Sequence, residues 1–247
     1  MKVIAIDTSN KAMAVALADK GQIVAVKKIN IKRNHSIQLM PTIEELVKEV
    51  KWQPTDIERI AVANGPGSYT GVRIAVTTAK ALAWSLKADL ITYSSLESMV
   101  LGQPYMPDQL LVPLFDARRG HVYTGMYRLN AEGKLTTVVA DRHIDFESWM
   151  EELVGHHMPV VFVGEDANGF SKEIDENKSL KTLGITIRSD DLPQVEAMAL
   201  DAPNRMPVSS HDMTPNYLKL TEAEENWIKD NPHSKRGHLV EKVKGTD

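Results

Sequence analysis

The residues best suited to chemistry lie in two turns, each directly after a predicted strand. Asp7, Thr8 and Ser9 follow the apolar run at residues 3–6, and Asp116 holds the equivalent place in the second half of the chain. Short oxygen-bearing side chains at a strand end can face phosphates or magnesium, although more often they bond only to their own backbone. Either Asp7 and Asp116 face one cleft, or each is simply a turn carboxylate.

A glycine-rich loop at residues 64–71, with the sequence NGPGSYTG, joins a predicted strand to a predicted helix. Glycines allow close backbone approach, and a helix N-terminus beside such a loop favours an anion. The spacing fits neither GxGxxG nor GxxxxGK[ST], so the dinucleotide and P-loop interpretations lose support. The simpler alternative is that the glycines serve only backbone geometry. The candidate residues of a vestigial nucleotide or anion cleft are Asp7, Thr8, Ser9, Gly65, Gly67, Ser68, Thr70, Asp116 and Arg118.

Composition limits the chemistry that this chain can perform. The 247 residues contain no cysteine, which excludes disulfides, thiolate nucleophiles and cysteine-bound zinc. The sequence has no HExxH or GxSxG motif, and His156 and His157 are neighbours whose side chains point apart. No metal site is therefore expected.

Length and charge point to a cytoplasmic globular protein with one large or two modest domains. No apolar run approaches the roughly 20 residues of a membrane span, and the start of the chain predicts a strand rather than a signal peptide. The net charge of −4 disfavours RNA as a direct partner, because phosphate binding needs a basic face. If RNA is involved, another subunit is expected to supply the positive surface.

The two halves of the chain repeat one order of predicted elements. A strand, an Asp-containing turn and two further strands occupy residues 3–29 and 110–140, with helices after each set. This weak internal duplication predicts two similar α/β lobes. The predicted divisions, set by the breaker cluster at 103–108, are a first lobe at 1–102, a second lobe at 103–230 with a closing helix at 221–229 that packs back on the first, and a mobile tail at 231–247.

Two predicted helices of the first half have more apolar surface than one core requires. Apolar positions cover about half the circumference of the helix over residues 34–50 and nearly all of the helix over 70–87, whereas a core-facing stripe needs only ~100°. Either both helices are buried, or they also pack against another protein chain. The candidate interface residues, for a partner or a second copy, are His35, Leu39, Met40, Ile43, Arg73, Val76, Thr77, Lys80, Ala81 and Trp84.

Motifs along nearly the whole chain resemble those of the bacterial TsaB (YeaZ) family. They are IAIDTS at 4–9, NHS at 34–36, GPGSYTGVR at 65–73, DARRG at 116–120 and PNYL at 215–218. The resemblance implies a two-lobed fold like actin and the sugar kinases, each lobe a mixed sheet flanked by helices. It also implies a scaffold role in making N6-threonylcarbamoyladenosine on tRNA, with TsaD and TsaE as partners. A homodimer is expected when the chain is alone, and tRNA contact only through the complex.

The same resemblance implies that this chain is not an enzyme. In TsaD a His-x-x-x-His pair holds a metal, and the matching positions here are Ser95 and Met99, which are poor ligands for a hard or borderline divalent ion. ATP and metal are therefore expected on the partner subunits, with no cofactor bound tightly here. The glycoprotease label once given to the wider group finds no support in the residues. The rival hypothesis is a stand-alone nucleotide-dependent phosphotransferase or ATPase.

Overall fold

Two five-stranded mixed sheets, one from each half of the chain, form the framework of the molecule. The structure is a computed structural model that describes residues 1–30, 35–104, 108–189 and 192–219. Helices pack against both sheets. No helix within those ranges is long and apolar enough to cross a membrane. The predicted pair of α/β lobes is confirmed.

The first sheet has the strand order β3-β2-β1-β4-β5, with β1 at its centre. β1 pairs antiparallel with β2 and parallel with β4. The side chains at 3–6 are buried on both faces of the sheet, which explains why this run is continuously apolar rather than alternating. The strands are β1 Lys2–Asp7, β2 Met13–Asp19, β3 Gln22–Ile29, β4 Arg59–Ala63 and β5 Asp89–Tyr93.

Three helices follow these strands: α1 (His35–Glu49), α2 (Tyr69–Leu86) and α3 (Ser95–Val100). α2 begins at the glycine-rich loop, where Ser68 accepts a hydrogen bond from the N–H of Gly71 and so caps the helix. The predicted strand-loop-helix unit is therefore confirmed.

Small residues let α2 lie close against the first sheet. Ala75, Ala79 and Ala83 are buried in the core cluster that also contains Ile60 and Val62 of β4. Most of the apolar surface of α2 is thus inside this chain's own core. The breadth of the apolar arc reflects, in large part, close packing of the helix onto the sheet.

The second sheet repeats the topology of the first, with the order β10-β9-β6-β7-β8. Its central strand β6 is antiparallel to β7 and parallel to β9, as β1 is to β2 and β4. The internal duplication is therefore confirmed. The strands are β6 Leu110–Arg118, β7 His121–Leu129, β8 Leu135–Asp145, β9 Val160–Val163 and β10 Ile185–Arg188, and the helices α4 Phe146–Gly155, α5 Ser171–Glu176 and α6 Lys178–Leu183.

The elements α5, α6 and β10 were not predicted from the sequence. Each helix has six residues and one fully buried apolar side chain, Ile174 in α5 and Leu180 in α6. One apolar residue per helix leaves no periodic stripe to detect. β8 also extends beyond the predicted end near residue 140.

The last described helix, α7 (Val195–Asp201), packs on β1, β2 and β3 of the first sheet. Val195, Met198 and Ala199 are buried in the same cluster as Val3 of β1. α7 therefore belongs by packing to the first lobe, although it lies within the predicted second-lobe segment. The predicted closing helix at 221–229 and the tail at 231–247 lie outside the described residues.

Candidate functional site

The glycine-rich loop covers the turn that follows β1. Thr8 Oγ1 donates a hydrogen bond to the carbonyl oxygen of Gly71 at 2.7 Å, and the N–H of Ser68 donates to the carbonyl oxygen of Ser9 at 2.7 Å. A Cβ on Gly67 or Gly71 would lie well inside 3.0 Å of one of these turn carbonyls. The glycines therefore permit a close backbone contact between loop and turn.

Asp7 is completely enclosed beneath this contact. Its Oδ1 accepts hydrogen bonds from the N–H and the Oγ of Ser9 at 2.8 and 2.7 Å, and its Oδ2 lies 2.9 Å from Ser98 Oγ. Burial raises the pKa of Asp7, against the lowering effect of these hydrogen bonds. Ser98 Oγ is also 2.8 Å from the carbonyl oxygen of Ser95. Both carboxyl oxygens of Asp7 are therefore engaged by groups of the protein itself, and neither is exposed to a magnesium ion in the cleft.

We expect Asp7→Asn to leave the free energy of unfolding at neutral pH unchanged or raised, because its amide can donate to Ser98. Asp7→Ala should lower it by about 2 kcal/mol, since buried partners lose their hydrogen bonds. The folded-state pKa of Asp7 lies above its ordinary value of about 3.9. Folding therefore takes up a proton between these two values, and the contribution of Asp7 to stability falls as pH rises through them.

Urea unfolding over about pH 4 to 8 measures both effects. The Asn variant should lack the part of the pH dependence that comes from Asp7, and the Ala variant is the matched control. Equal losses of stability in the two variants would show that Asp7 is charged in the folded chain.

Ser95 and Met99, the two residues that the resemblance compares with a metal-binding pair, serve hydrogen bonding and packing here. Ser95 is fully buried, and its Oγ accepts a hydrogen bond from the N–H of Gly65 at 3.0 Å. Met99 is buried against Gly164, where a Cβ would collide with the methionine methyl group. Within the described ranges, no group of three or more His, Asp or Glu side chains is placed to hold a metal ion.

An open cleft of about 450 Å³ lies between the two lobes. Gly67, Ser68 and Thr70 line it from the first lobe, and Asp116 and Arg118 line it from the second. The structure therefore brings together five of the nine residues predicted for a nucleotide or anion cleft. The other four are buried: Asp7, Thr8, Ser9 and Gly65.

The charges in this cleft are mixed. Asp116 Oδ1 accepts a hydrogen bond from the N–H of Arg118 at 2.7 Å, so this carboxylate is engaged within its own turn. Asp166 forms an ion pair with Lys11 at 2.8 Å, which links the lobes at the cleft. The carboxylates of Asp116 and Asp166 line the cleft beside the cations of Arg118 and Lys219, and they reduce the attraction of these cations for a multiply charged anion.

α1 and α2 leave a strip of side chains uncovered on the outside of the first lobe. Met40, Arg73, Thr77, Ala81 and Trp84 are exposed, and Trp84 is the most open of them at 69%. We call these five residues the outer helix patch. An exposed tryptophan and methionine on helices are consistent with a surface that a partner covers.

The structure corrects the predicted interface at three positions. Leu39, Ile43 and Val76 are buried in the core between the helices and the first sheet, because they lie on the inward sides of α1 and α2. Their side chains are not available to a partner. His35 and Lys80 are half-buried, and Lys80 Nζ donates to the carbonyl oxygen of Met213 at 2.7 Å.

Sequence reasoning missed a group of tyrosines beside the cleft. The rings of Tyr69 and Tyr217 stack with their centroids 4.8 Å apart. Together with Tyr123 they line a cavity of about 210 Å³. Tyr69 and Tyr217 each belong to one of the family motifs, but no spacing in the sequence indicates that the two motifs meet.

Comparison with known proteins identifies the family. The family model described as TsaD, tRNA N6-adenosine threonylcarbamoyltransferase, matches residues 23–231. The "tRNA threonylcarbamoyladenosine biosynthesis protein TsaB" of Bacillus subtilis strain 168 is 38% identical over 92% of this chain and 98% of its own length. This chain belongs to the TsaB family. The TsaB protein of Escherichia coli K12 is 33% identical over 54% of this chain and 58% of that protein.

A solved structure supports the fold of this family member. YeaZ from Pseudomonas aeruginosa superposes with a TM-score of 0.71 at 22% sequence identity, covering 88% of this chain and 99% of that chain. With the duplicated mixed sheets, this similarity confirms the expected fold of two lobes, each a mixed sheet flanked by helices. The assignment to the TsaB (YeaZ) family from motifs alone is likewise confirmed.

Proposed function

We propose that this TsaB-family chain acts in tRNA threonylcarbamoyladenosine biosynthesis as a non-catalytic subunit that binds and supports a transferase of the TsaD type. The names of its relatives support the pathway. The observation that carries the non-catalytic role is the enclosure of Asp7, whose two carboxyl oxygens are both engaged inside the protein. A fold can be retained without its chemistry, and here the carboxyl group that follows β1 is enclosed although the cleft beside it is open.

The outer helix patch is the surface that we assign to the transferase. Trp84 presents a large ring to solvent next to the small Ala81, an arrangement that lets a partner helix approach closely. Arg73 and Thr77 continue the patch along α2 with polar groups. Interfaces commonly combine tryptophan and arginine anchors with a polar rim. In the absence of the transferase, the same patch serves as the contact of a homodimer.

The remaining components of the reaction belong to the other subunits. ATP and the metal bind to the partners, and an accessory ATPase of the TsaE type joins the complex, which works in the cytoplasm. The net charge of −4 supports delivery of tRNA mainly through partners with a basic surface.

Size-exclusion chromatography tests this proposal directly. The purified chain, a TsaD-type transferase and their mixture are run separately, and tRNA modification is assayed on every fraction with the accessory ATPase added. We expect a new, larger species in the mixture, and modification only in fractions that contain both proteins. Full modification by the transferase without this chain would contradict the proposal.

The rival phosphotransferase hypothesis makes a different prediction for the chain alone. Incubation with ATP and magnesium should give no phosphate release above the protein-free control. Turnover that is present in the wild type and lost in Asp7→Asn would favour the rival, because the Asn variant keeps the hydrogen bonds but cannot bind magnesium as a carboxylate.

A further inference from the structure

Three tyrosine rings border a small cavity at the mouth of the cleft. Tyr69 and Tyr217 stack with their planes 22° apart, and Tyr123 lines the same cavity of about 210 Å³. Tyr69 is 47% exposed and Tyr217 is 38% exposed. Exposed aromatic surface gathered around a concave site is typical of ligand binding. Flat rings of this kind are suited to a flat, aromatic ligand.

Cationic side chains surround these rings. The guanidinium of Arg73 lies 5.3 Å from the ring centroid of Tyr69 and donates a hydrogen bond to its hydroxyl at 2.8 Å. Lys219 lines the cavity, and Arg118 lines the adjoining cleft. Neither the ammonium of Lys219 nor the guanidinium of Arg118 has an ionic partner among the described residues.

The tyrosine cavity and the larger cleft are adjacent and share part of their walls. Gly67, Tyr69, Tyr123 and Lys219 line both of them. The cleft adds the exposed hydroxyls of Ser68 and Thr70, so an apolar end lined by rings adjoins a polar end lined by Lys219 and Arg118. A nucleotide has this same division, with a base that stacks on aromatic side chains and a phosphate that attracts cations.

We propose that the tyrosine cavity binds one unpaired nucleobase of an RNA strand, with the adjacent phosphate near Lys219 and Arg118. The carboxylates of Asp116 and Asp166 in the cleft, and the net charge of −4, restrict the site to about one nucleotide rather than an extended groove. This inference goes beyond the proposed function, in which partners supply the RNA contact.

Fluorescence titration of the full chain with short RNAs tests this proposal at low salt. The arms are a labelled single-stranded octaribonucleotide, a blunt-ended duplex in which the same sequence is fully paired, and a free mononucleotide as competitor. We expect the single strand to bind at least about fivefold more tightly than the duplex, because only an unpaired base can enter the cavity. Displacement of the octamer by an equal concentration of mononucleotide would overturn the assignment to RNA, in favour of a free nucleotide.

Variants at Tyr217 locate the site. Tyr217→Ala should weaken binding of the octamer about fivefold or more, whereas Tyr217→Phe, which keeps the ring, should stay within about twofold of the wild type. Met206→Ala removes an exposed apolar side chain outside the cavity and should leave RNA binding unchanged. Octamer binding by Tyr217→Ala that equals the wild type, or loss in Met206→Ala of the same size, would refute the tyrosine site. Thermal unfolding by circular dichroism verifies that each variant is folded.

Lys219→Glu tests the phosphate contact separately. Loss of one phosphate contact should reduce the slope of log affinity against log salt by about 0.7 for a single strand. An unchanged slope would remove Lys219 from the site. Co-elution of Tyr217→Ala with the transferase is measured in parallel, so failure of the RNA site and failure of the proposed subunit role give separate results.

Discussion

We expect Trp84→Glu to abolish co-elution of this chain with a TsaD-type transferase while the chain itself stays folded. Trp84 is 69% exposed, so the free chain loses little packing, and surface changes of this kind usually alter stability by about 0.5 kcal/mol or less. In the complex, the variant would lose an aromatic anchor and bury an unpaired carboxylate. Removal of a central tryptophan alone often costs about 2 kcal/mol or more, so a Kd increase of about a hundredfold is expected for the combined change.

Ala81→Glu and Met40→Asp extend this test along α2 and to α1. The matched control is Met206→Glu, which makes a similar change at a methionine that is 86% exposed in a loop far along the chain from both helices. Calorimetric titration and size-exclusion chromatography are run on all four variants, with tRNA modification assayed on the mixtures. Wild-type affinity in all three patch variants would remove the outer helix patch from the interface, and equal losses in the control would make the effect nonspecific.

The framework of this fold could be predicted from the sequence because its two central strands are nearly continuous runs of apolar residues. The run at 3–6 is buried on both faces, and a polar turn at residues 8–11 separates it from the next strand. The second half repeats this order, so the duplicated topology followed from local signals alone. The loop at 64–71 also predicted the start of α2, because a long stretch without helix breakers directly follows its glycines. In the structure, Ser68 of this loop caps the helix.

The sequence was a poorer guide to which face of each helix is buried within the chain and which face is exposed. Leu39 and Val76 were predicted at an interface, but α1 and α2 lie so close to the sheet that their broad apolar arcs are mostly covered from within. The sequence also did not predict that α7 packs on the first lobe, because a seven-residue helix carries no information about which sheet it covers. Packing of this kind is decided by tertiary contacts rather than by periodicity.

The candidate site was only partly predictable for a related reason. Sequence motifs place Asp7 near the glycine-rich loop, but they do not indicate whether the loop leaves a pocket or fills it. In the structure the loop bonds to the turn, and Ser98 engages the carboxyl from α3. The stacking of Tyr69 on Tyr217 depends on two distant segments meeting, which no local pattern encodes.

Gly67→Ala should have the largest effect on stability of any change considered in the site. Gly67 has φ +148°, which side chains rarely adopt, and an added Cβ would lie well inside 3.0 Å of the carbonyl oxygen of Ser9. Backbone strain and a clash with another backbone segment each cost about 1–3 kcal/mol. We therefore expect urea unfolding to show a loss of about 3 kcal/mol or more.

Gly21→Ala is the matched control, since Gly21 also has a positive φ, +75°, but nothing within 4 Å of an added Cβ. This variant should lose only about 1 kcal/mol, from backbone strain alone. The difference between the two variants isolates the contact between the loop and the turn after β1. If the two variants lost equal stability, the loop could move away from the turn at little cost. Asp7 would then be accessible to phosphate or metal, and the case for a chain without its own chemistry would lose its main support.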